Sequence, residues 1–306
     1  MRDDARDSSL RPHPSSLLVI RLSAFGDVIH TIPAVVALRG RFDIDWAVEA
    51  PYRELVEIVA GVRAIPLALK QWSLRNVGKL RGHDTAIDFQ GLLKSAVLAR
   101  VSGARNRFGF APEFVREKPA AFLMNRRVAI DPAAHVVEWN LQLAKAVEPG
   151  VTMPHVDFTP FASDEPRNFA GRIVLLPAAG RAEKEWPIEN FRQLAERIGS
   201  RALVVWGPNE RAKAEAIGAQ LAPKTSLREL ARVLRDASIV IGTDTGPLHL
   251  AAALRTPVVG LYGPTNPKRN GPYGQVENCI ETFTTTKSMQ DIPVDAVMRK
   301  MEELAK

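Results

Sequence analysis

Asp244-Thr-Gly-Pro-Leu-His249 places a carboxylate, a hydroxyl, a glycine and an imidazole within six positions. The apolar run Ile239-Val-Ile241 precedes it, and Pro247 is a good first helical residue. A strand, a small-residue turn and a helix start aim free backbone N–H groups and the positive end of a helix dipole at one point. That arrangement suits an anion such as phosphate. Thr243, Thr245, and His249 would add side-chain donors there. On the residues alone, Asp244 or Thr245 could equally be a helix cap and His249 a structural histidine. Arg181 and Lys184 form a second polar cluster after the apolar stretch Ile173-Val-Leu-Leu176, and Asp27 stands after Leu17-Leu-Val-Ile20.

The elements that must position these groups alternate along the chain. Strand-like runs are expected at 17–20, 44–48, 64–67 and 85–89. Helical spacing follows the first of these through Val28, Ile32, Val35 and Val36, and is expected again at 52–60 and 92–101. Pro33 falls inside the first helical pattern, which implies a kink or a start later than Asp27. The pattern blurs over 109–129. It restarts with strands at 173–176, 202–206 and 257–261 and helices at 188–198, 210–221, 227–234 and 294–304. Strands alternating with helices imply βαβ units and parallel sheets. Pro154, Pro160 and Pro166 mark a break between two domains, expected at 17–162 and 163–306 after a disordered tail at 1–16. The terminal helix could pack back on the first domain. In such α/β sheets ligands sit beyond the carboxyl ends of the strands, so all three polar clusters could face one cleft between the domains.

Composition limits the classes available. The 306 residues are 46% hydrophobic and 25% charged, as expected for a soluble globular chain with a full core. One cysteine, Cys279, precludes an internal disulfide or a Cys-based metal site and fits a reducing cytoplasm. No run approaches the roughly 20 apolar residues of a membrane span. The first 16 residues carry Asp3, Asp4 and Asp7 and no apolar core, which excludes a signal peptide. Of the net +7, the segment from Lys70 to Arg127 holds twelve Lys or Arg against four acids, a local +8. That face suits a phosphate-rich partner. No nucleic-acid-binding motif accompanies it, so nucleic acid is not expected.

Beyond these readings, Arg21-Leu-Ser-Ala-Phe-Gly-Asp-Val-Ile-His-Thr-Ile-Pro-Ala34 resembles the opening of bacterial lipopolysaccharide heptosyltransferases. These are glycosyltransferases of family 9 with the two-domain GT-B architecture. Asp244–His249 resembles their second signature, followed by Tyr262-Gly-Pro-Thr-Asn-Pro267. Asp45-Trp-Ala-Val-Glu49, Ala86-Ile-Asp-Phe-Gln-Gly-Leu-Leu-Lys-Ser-Ala96, Lys184-Glu-Trp-Pro187 and Trp206-Gly-Pro208 are similar to the type I branch. The resemblance runs from about Leu17 to Tyr273. It implies an inverting transfer of L-glycero-D-manno-heptose from ADP-heptose to a Kdo sugar of the lipopolysaccharide core, with no cofactor or metal.

The resemblance also implies roles. Asp27 would be the general base. Lys184, Arg181, Glu210, Asp244, Thr245, Gly246 and His249 would line the donor site. Lys70, Lys94, Arg116 and His135 would meet the phosphorylated acceptor. Ala178-Ala-Gly180 departs from the family's pattern and lacks its side-chain donors. A monomer at the cytoplasmic face of the inner membrane, touching anionic lipid peripherally, is the expected setting. The chemistry agrees. Lys184 and the amides at Thr245 and Gly246 can neutralise a departing diphosphate, and Asp27 can accept the acceptor hydroxyl's proton.

Alternatives within the family are heptosyltransferase II or an enzyme with another acceptor. From other classes, a non-catalytic nucleotide-sugar binder or an NAD(P)-dependent oxidoreductase would use similar domains. The oxidoreductase needs a Gly-rich turn after its first strand, where this chain has only Gly26. Asp43-Ile-Asp45 has the form of a metal-binding DxD but reads as the start of a strand. His30 could touch substrate or be structural. His135 and Glu138 have the spacing of metal ligands but no third partner. Trp186 reads as packing, and Thr225 and Ser226 as helix caps.

Overall fold

Leu17, Leu18, Val19 and Ile20 are fully buried because β1 (Ser15–Ile20) runs through the middle of a sheet with neighbours on both edges. The computed structural model describes residues 15–67, 78–162 and 168–305. Its first sheet continues with β2 (Phe42–Glu49), β3 (Arg63–Leu67), β4 (Thr85–Asp88), β5 (Asn106–Phe110) and β6 (Arg126–Val128), in the order β3-β2-β1-β4-β5-β6. A second sheet holds β7 (Ile173–Leu176), β8 (Ala202–Val204), β9 (Gln220–Leu221), β10 (Ile239–Thr243), β11 (Val258–Tyr262) and β12 (Cys279–Glu281), ordered β12-β11-β10-β7-β8-β9. Every pairing is parallel. Both sheets have the doubly wound order, which reverses direction between β1 and β4 and between β7 and β10. The first strand begins at Ser15, inside the stretch expected to be a tail. Pro66 is accommodated because β3 is an edge strand.

Among the described residues, the helices of eight or more residues are α1 (Phe25–Leu38), α2 (Leu93–Val101), α3 (Val136–Val147), α4 (Ile188–Ile198), α5 (Leu227–Asp236), α6 (Gly246–Ala253) and α7 (Val294–Leu304). α1 runs unbroken through Pro33 from Phe25, earlier than its proline suggested. An interior proline costs about 3 kcal/mol. Burial of Val28, Ile29, Ile32 and Val35 offsets that. So does Asn140 of α3, whose amide donates to the His30 carbonyl at 3.0 Å. α1 packs on α3 within its own half and on α6 of the other half. This crossing of α1 and α6 is where the two sheets are held together.

Two expected helices take other forms, and the terminal one packs on its own half. The 52–60 stretch is a 3-10 turn, one α turn and the π-helical Val56–Ala60, ended by Gly61 at φ +64. The 210–221 stretch is helical only at Arg211–Glu215, because Gly218 at φ +78 turns the chain into edge strand β9. α7 packs on α4 and β11, with Val297 and Met301 in the core of the second sheet beside Phe191 and Leu194, not on the first.

Candidate active site

The second sheet contributes one wall. β10 ends at Thr243, whose hydroxyl donates to the Ala178 carbonyl at 3.2 Å and so is already committed. Asp244 follows, its side chain 10% exposed. Its Oδ2 accepts from Lys184 Nζ at 2.5 Å and its Oδ1 from His249 Nε2 at 3.2 Å. Burial alone would raise this carboxyl, but the His249 hydrogen bond and charge, with the Lys184 ammonium, bring it down to about 2. Thr245 is the N-cap of α6, and Pro247 occupies its first turn without an N–H. The Leu248 and His249 amides donate to the Thr245 carbonyl. Thr245 and Gly246 are therefore the helix-start amides without an intrahelical acceptor. Glu210 accepts from the Gly207 amide at 2.7 Å. Ser226 caps α5, its hydroxyl accepting from the Glu229 amide.

The first sheet contributes the other wall. Arg21 directly follows β1 and Asp27 sits in the first turn of α1, and the two form an ion pair. Arg21 Nη1 also donates to the Phe89 carbonyl at 2.5 Å. Asp88, at the end of β4, is buried and pushed up to about 6 by that burial. The Gln90 and Gly91 amides and the Ser95 hydroxyl pull the other way. Phe25 stacks on Tyr52, ring centroids 5.6 Å apart.

The walls meet in a cleft of about 780 Å³. Ala24, Phe25 and Gly26 line it from the first half; Lys184, Arg181, Glu210, Asp244, Thr245 and Gly246 line it from the second. The halves approach closely because neither contact residue has a side chain. A Cβ on Gly246 would lie 2.3 Å from Phe25 Cδ1, and one on Gly26 would lie 2.7 Å from His249 Cδ2.

Residues 73–294 match the sequence model of glycosyltransferase family 9 (heptosyltransferase). The chain belongs to this family. This family-9 glycosyltransferase is 32% identical over 320 residues to lipopolysaccharide heptosyltransferase 1 of Escherichia coli K12, covering 94% of the chain and 99% of the relative. It is 36% identical over 295 residues to lipopolysaccharide heptosyltransferase 1 of Pseudomonas aeruginosa, covering 85% of the chain and 81% of the relative. A solved structure of E. coli heptosyltransferase WaaC with ADP superposes with a TM-score of 0.80 at 30% identity, covering 95% of this chain and all of that one. The two parallel sheets are thus the halves of a GT-B fold.

The structure places the remaining expected residues of the family-9 enzyme as follows. Lys94 lies in the first turn of α2, and Arg116 is exposed between Val115, which packs on Gly91, and the helix Lys118–Phe122. Lys70 lies outside the described residues. His249 lies behind the donor wall and reaches the cleft only through Asp244. His135, expected to meet the acceptor, bridges two segments of the structure. It is buried, its Nδ1 accepts from the Val137 amide to cap α3, and its Nε2 donates to the Gly271 carbonyl at 3.0 Å. Glu138 completes that cap. His30 packs against His249 and His135, and neither of its ring nitrogens has a partner among the described residues. Burial, then the His249, His135 and Arg21 charges, keep its imidazole well below 6.5. Asp45 pairs with Arg63 and His83 inside the sheet rather than facing the cleft. Trp186 packs on Phe191 and donates to the Ile292 carbonyl. Arg21 was missed by sequence reasoning. Its position directly after the first buried run, six residues before Asp27, was the available signal.

Proposed function

We propose that this family-9 enzyme transfers L-glycero-D-manno-heptose from ADP-heptose to a Kdo sugar of the lipopolysaccharide inner core, inverting the anomeric centre. The observation that carries this reading is the shared cleft. An ammonium on a largely enclosed carboxylate (Lys184 on Asp244) and a helix start (Thr245–Gly246) line one side. The first turn of α1, which bears Asp27, lines the other. Relatives named lipopolysaccharide heptosyltransferase 1 and a superposing heptosyltransferase structure with ADP support it.

In the reaction, the acceptor hydroxyl gives its proton to the Asp27 carboxylate and its oxygen bonds to the anomeric carbon. The bond from that carbon to the diphosphate oxygen breaks, and its electron pair leaves with ADP. Lys184, Arg181 and the Thr245 and Gly246 amides stabilise the charge that develops on the diphosphate. These groups supply the neutralisation without a metal or cofactor. Glu210, with the nearby Trp206 and Ser226, is assigned to the nucleoside end of the cleft. Lys94 and Arg116, within the basic segment, are assigned to the acceptor's phosphates. The same segment is assigned a peripheral contact with anionic lipid, the chain acting as a monomer. No helix among the described residues is long and apolar enough to cross a membrane.

The test is mass-spectrometric detection of one added heptose on a Kdo-bearing lipid A acceptor, with ADP-heptose compared against other nucleotide sugars. Transfer only to an acceptor that already carries heptose would replace this reading with that of a later family-9 enzyme.

A further inference from the structure

A second cavity lies further along the two helices that join the sheets. α1 reaches the active-site cleft with Phe25 and Gly26, and α6 reaches it with Gly246 and Pro247. One turn on, Ile29 and Pro33 of α1 and Ala252 and Ala253 of α6 line a separate space of about 390 Å³. The segment connecting the two halves closes it through Met153 and Phe158. The two cavities share no lining residue. The second has the size of a small-molecule site, for which about 300–1,000 Å³ is usual.

The walls are mostly apolar, and most of the polar groups among them are committed. Gln275 Oε1 accepts from the Val258 amide at 3.0 Å, and its Nε2 donates to the Thr256 carbonyl at 2.9 Å. His30 and His249 also line the space. Both nitrogens of His30 and Nδ1 of His249 are buried, and His249 Nε2 is on Asp244. What these rings offer the cavity is carbon. A sugar or a nucleotide would lose its hydration there without replacement hydrogen bonds, whereas an apolar body loses nothing.

The exception is Arg255, which lines the same space and is exposed. It follows α6 at φ +64, a setting that glycine adopts without strain. Its Nη2 lies 2.9 Å from His155 Nε2 and 3.0 Å from His155 Nδ1. An imidazole does not neutralise a guanidinium. Asp157 feels the Arg255 charge, but its Oδ1 takes the Thr159 amide at 2.9 Å and the Thr159 hydroxyl at 2.7 Å. Among the described residues no carboxylate pairs with Arg255. The planar guanidinium fork is matched by a carboxylate.

We propose that this cavity binds a medium-chain aliphatic carboxylate. Its chain lies against α1, α6 and the segment between the halves, and its carboxylate sits on Arg255. The occupant touches both helices of the crossing that holds the sheets together. The site is distinct from the active-site cleft, and the inference is independent of the reaction proposed above.

The test is calorimetric titration of the full chain with decanoate, kept below the concentration at which it forms micelles. One molecule per chain is expected. Each buried methylene contributes about fourfold in affinity, so decanoate should bind about 15-fold more tightly than octanoate. Arg255→Gln should weaken decanoate about tenfold and leave octanol, which has no charge, unaffected. Ala253→Phe puts a ring into the cavity and should weaken both at least tenfold. Saturating ADP should change decanoate affinity by no more than about threefold, since the two sites share no residue. Thermal midpoints separate loss of binding from loss of fold; if Ala253→Phe does not fold, the exposed Arg255→Gln decides alone. No binding, several molecules per chain, equal affinity for the two chain lengths, or an Arg255→Gln variant that binds decanoate as tightly as the unaltered chain would each overturn the proposal. Displacement of decanoate by ADP would overturn it too, by placing the ligand in the active-site cleft.

Discussion

Lys184 and Asp244 meet at 2.5 Å, although sixty positions separate them in the chain. One comes from the loop after β7 and the other from the end of β10, the two strands between which the second sheet reverses its order. The pair sets a cation at the cleft and draws its compensation from a largely enclosed carboxylate that His249 also grips.

The charge of Asp244 should therefore be visible as pH-dependent stability. Its folded value of about 2 lies below the ordinary 3.8. Its contribution is present above pH 3.8 and is lost as pH falls through 2. Asp244→Asn should destabilise the protein by about 2 kcal/mol at pH 7, and the gap should close toward pH 2. Urea unfolding of both proteins at pH 7, 5 and 3 measures it. A gap independent of pH would mean that the carboxylate's charge is not what matters.

Asp88 should behave with the opposite sign. Burial raises its carboxyl to about 6, so the folded state binds a proton more tightly than the unfolded one, and stability falls as pH rises from about 4 to 6. Asp88→Asn can still accept the Gln90 and Gly91 amides through its oxygen. Relative to the unaltered chain, the variant should gain up to about 3 kcal/mol between pH 4 and pH 7.5. Thermal midpoints across that range, in buffers of matched ionic strength, test this.

Asp27→Ala should reduce turnover by roughly 10²–10⁴-fold, the usual contribution of a general base. ADP-heptose affinity should hardly change, because Asp27 lies beside the donor cleft rather than in it. Calorimetric titration with the donor, paired with steady-state assays, separates the two effects. Near-normal turnover would reduce Asp27 to a helix-start residue.

Gly246→Ala should force the two halves apart. The added methyl would sit 2.3 Å from Phe25 Cδ1, closer than any real contact. Activity is expected to drop at least tenfold, with the fold retained. Because the fault is overlap with one ring, adding Phe25→Ala should recover part of the loss. A double variant worse than the product of its single changes would place the effect elsewhere.

Much of the architecture is written in local pattern. β1, β10 and β11 announce themselves as buried apolar runs, and α4 and α7 as amphipathic periods. Both signals depend only on backbone geometry repeating over a few residues. At 210–221 a glycine with positive φ, Gly218, turns the chain out of a helix that apolar spacing would have continued, whereas at 52–60 the bounds agree and only the winding differs, 3-10 and π turns flanking a single α turn. Asp27, Lys184 and Asp244 stand out in the sequence because each lies in the segment that follows a strand-like run, where a doubly wound sheet exposes its loops.

The amino-acid order by itself determined the two-sheet α/β plan and the helix start at Thr245–Gly246 beyond a buried strand. Only the tertiary structure decided which polar groups are free and which are spent. It moved His249 behind the cleft onto Asp244, made His135 a bridge to Gly271, and set Arg21 on Asp27. Those pairings depend on how α1 crosses α6 and how strand ends align across a sheet. Such distances are fixed by packing between segments far apart in the chain, and no periodicity within a segment encodes them.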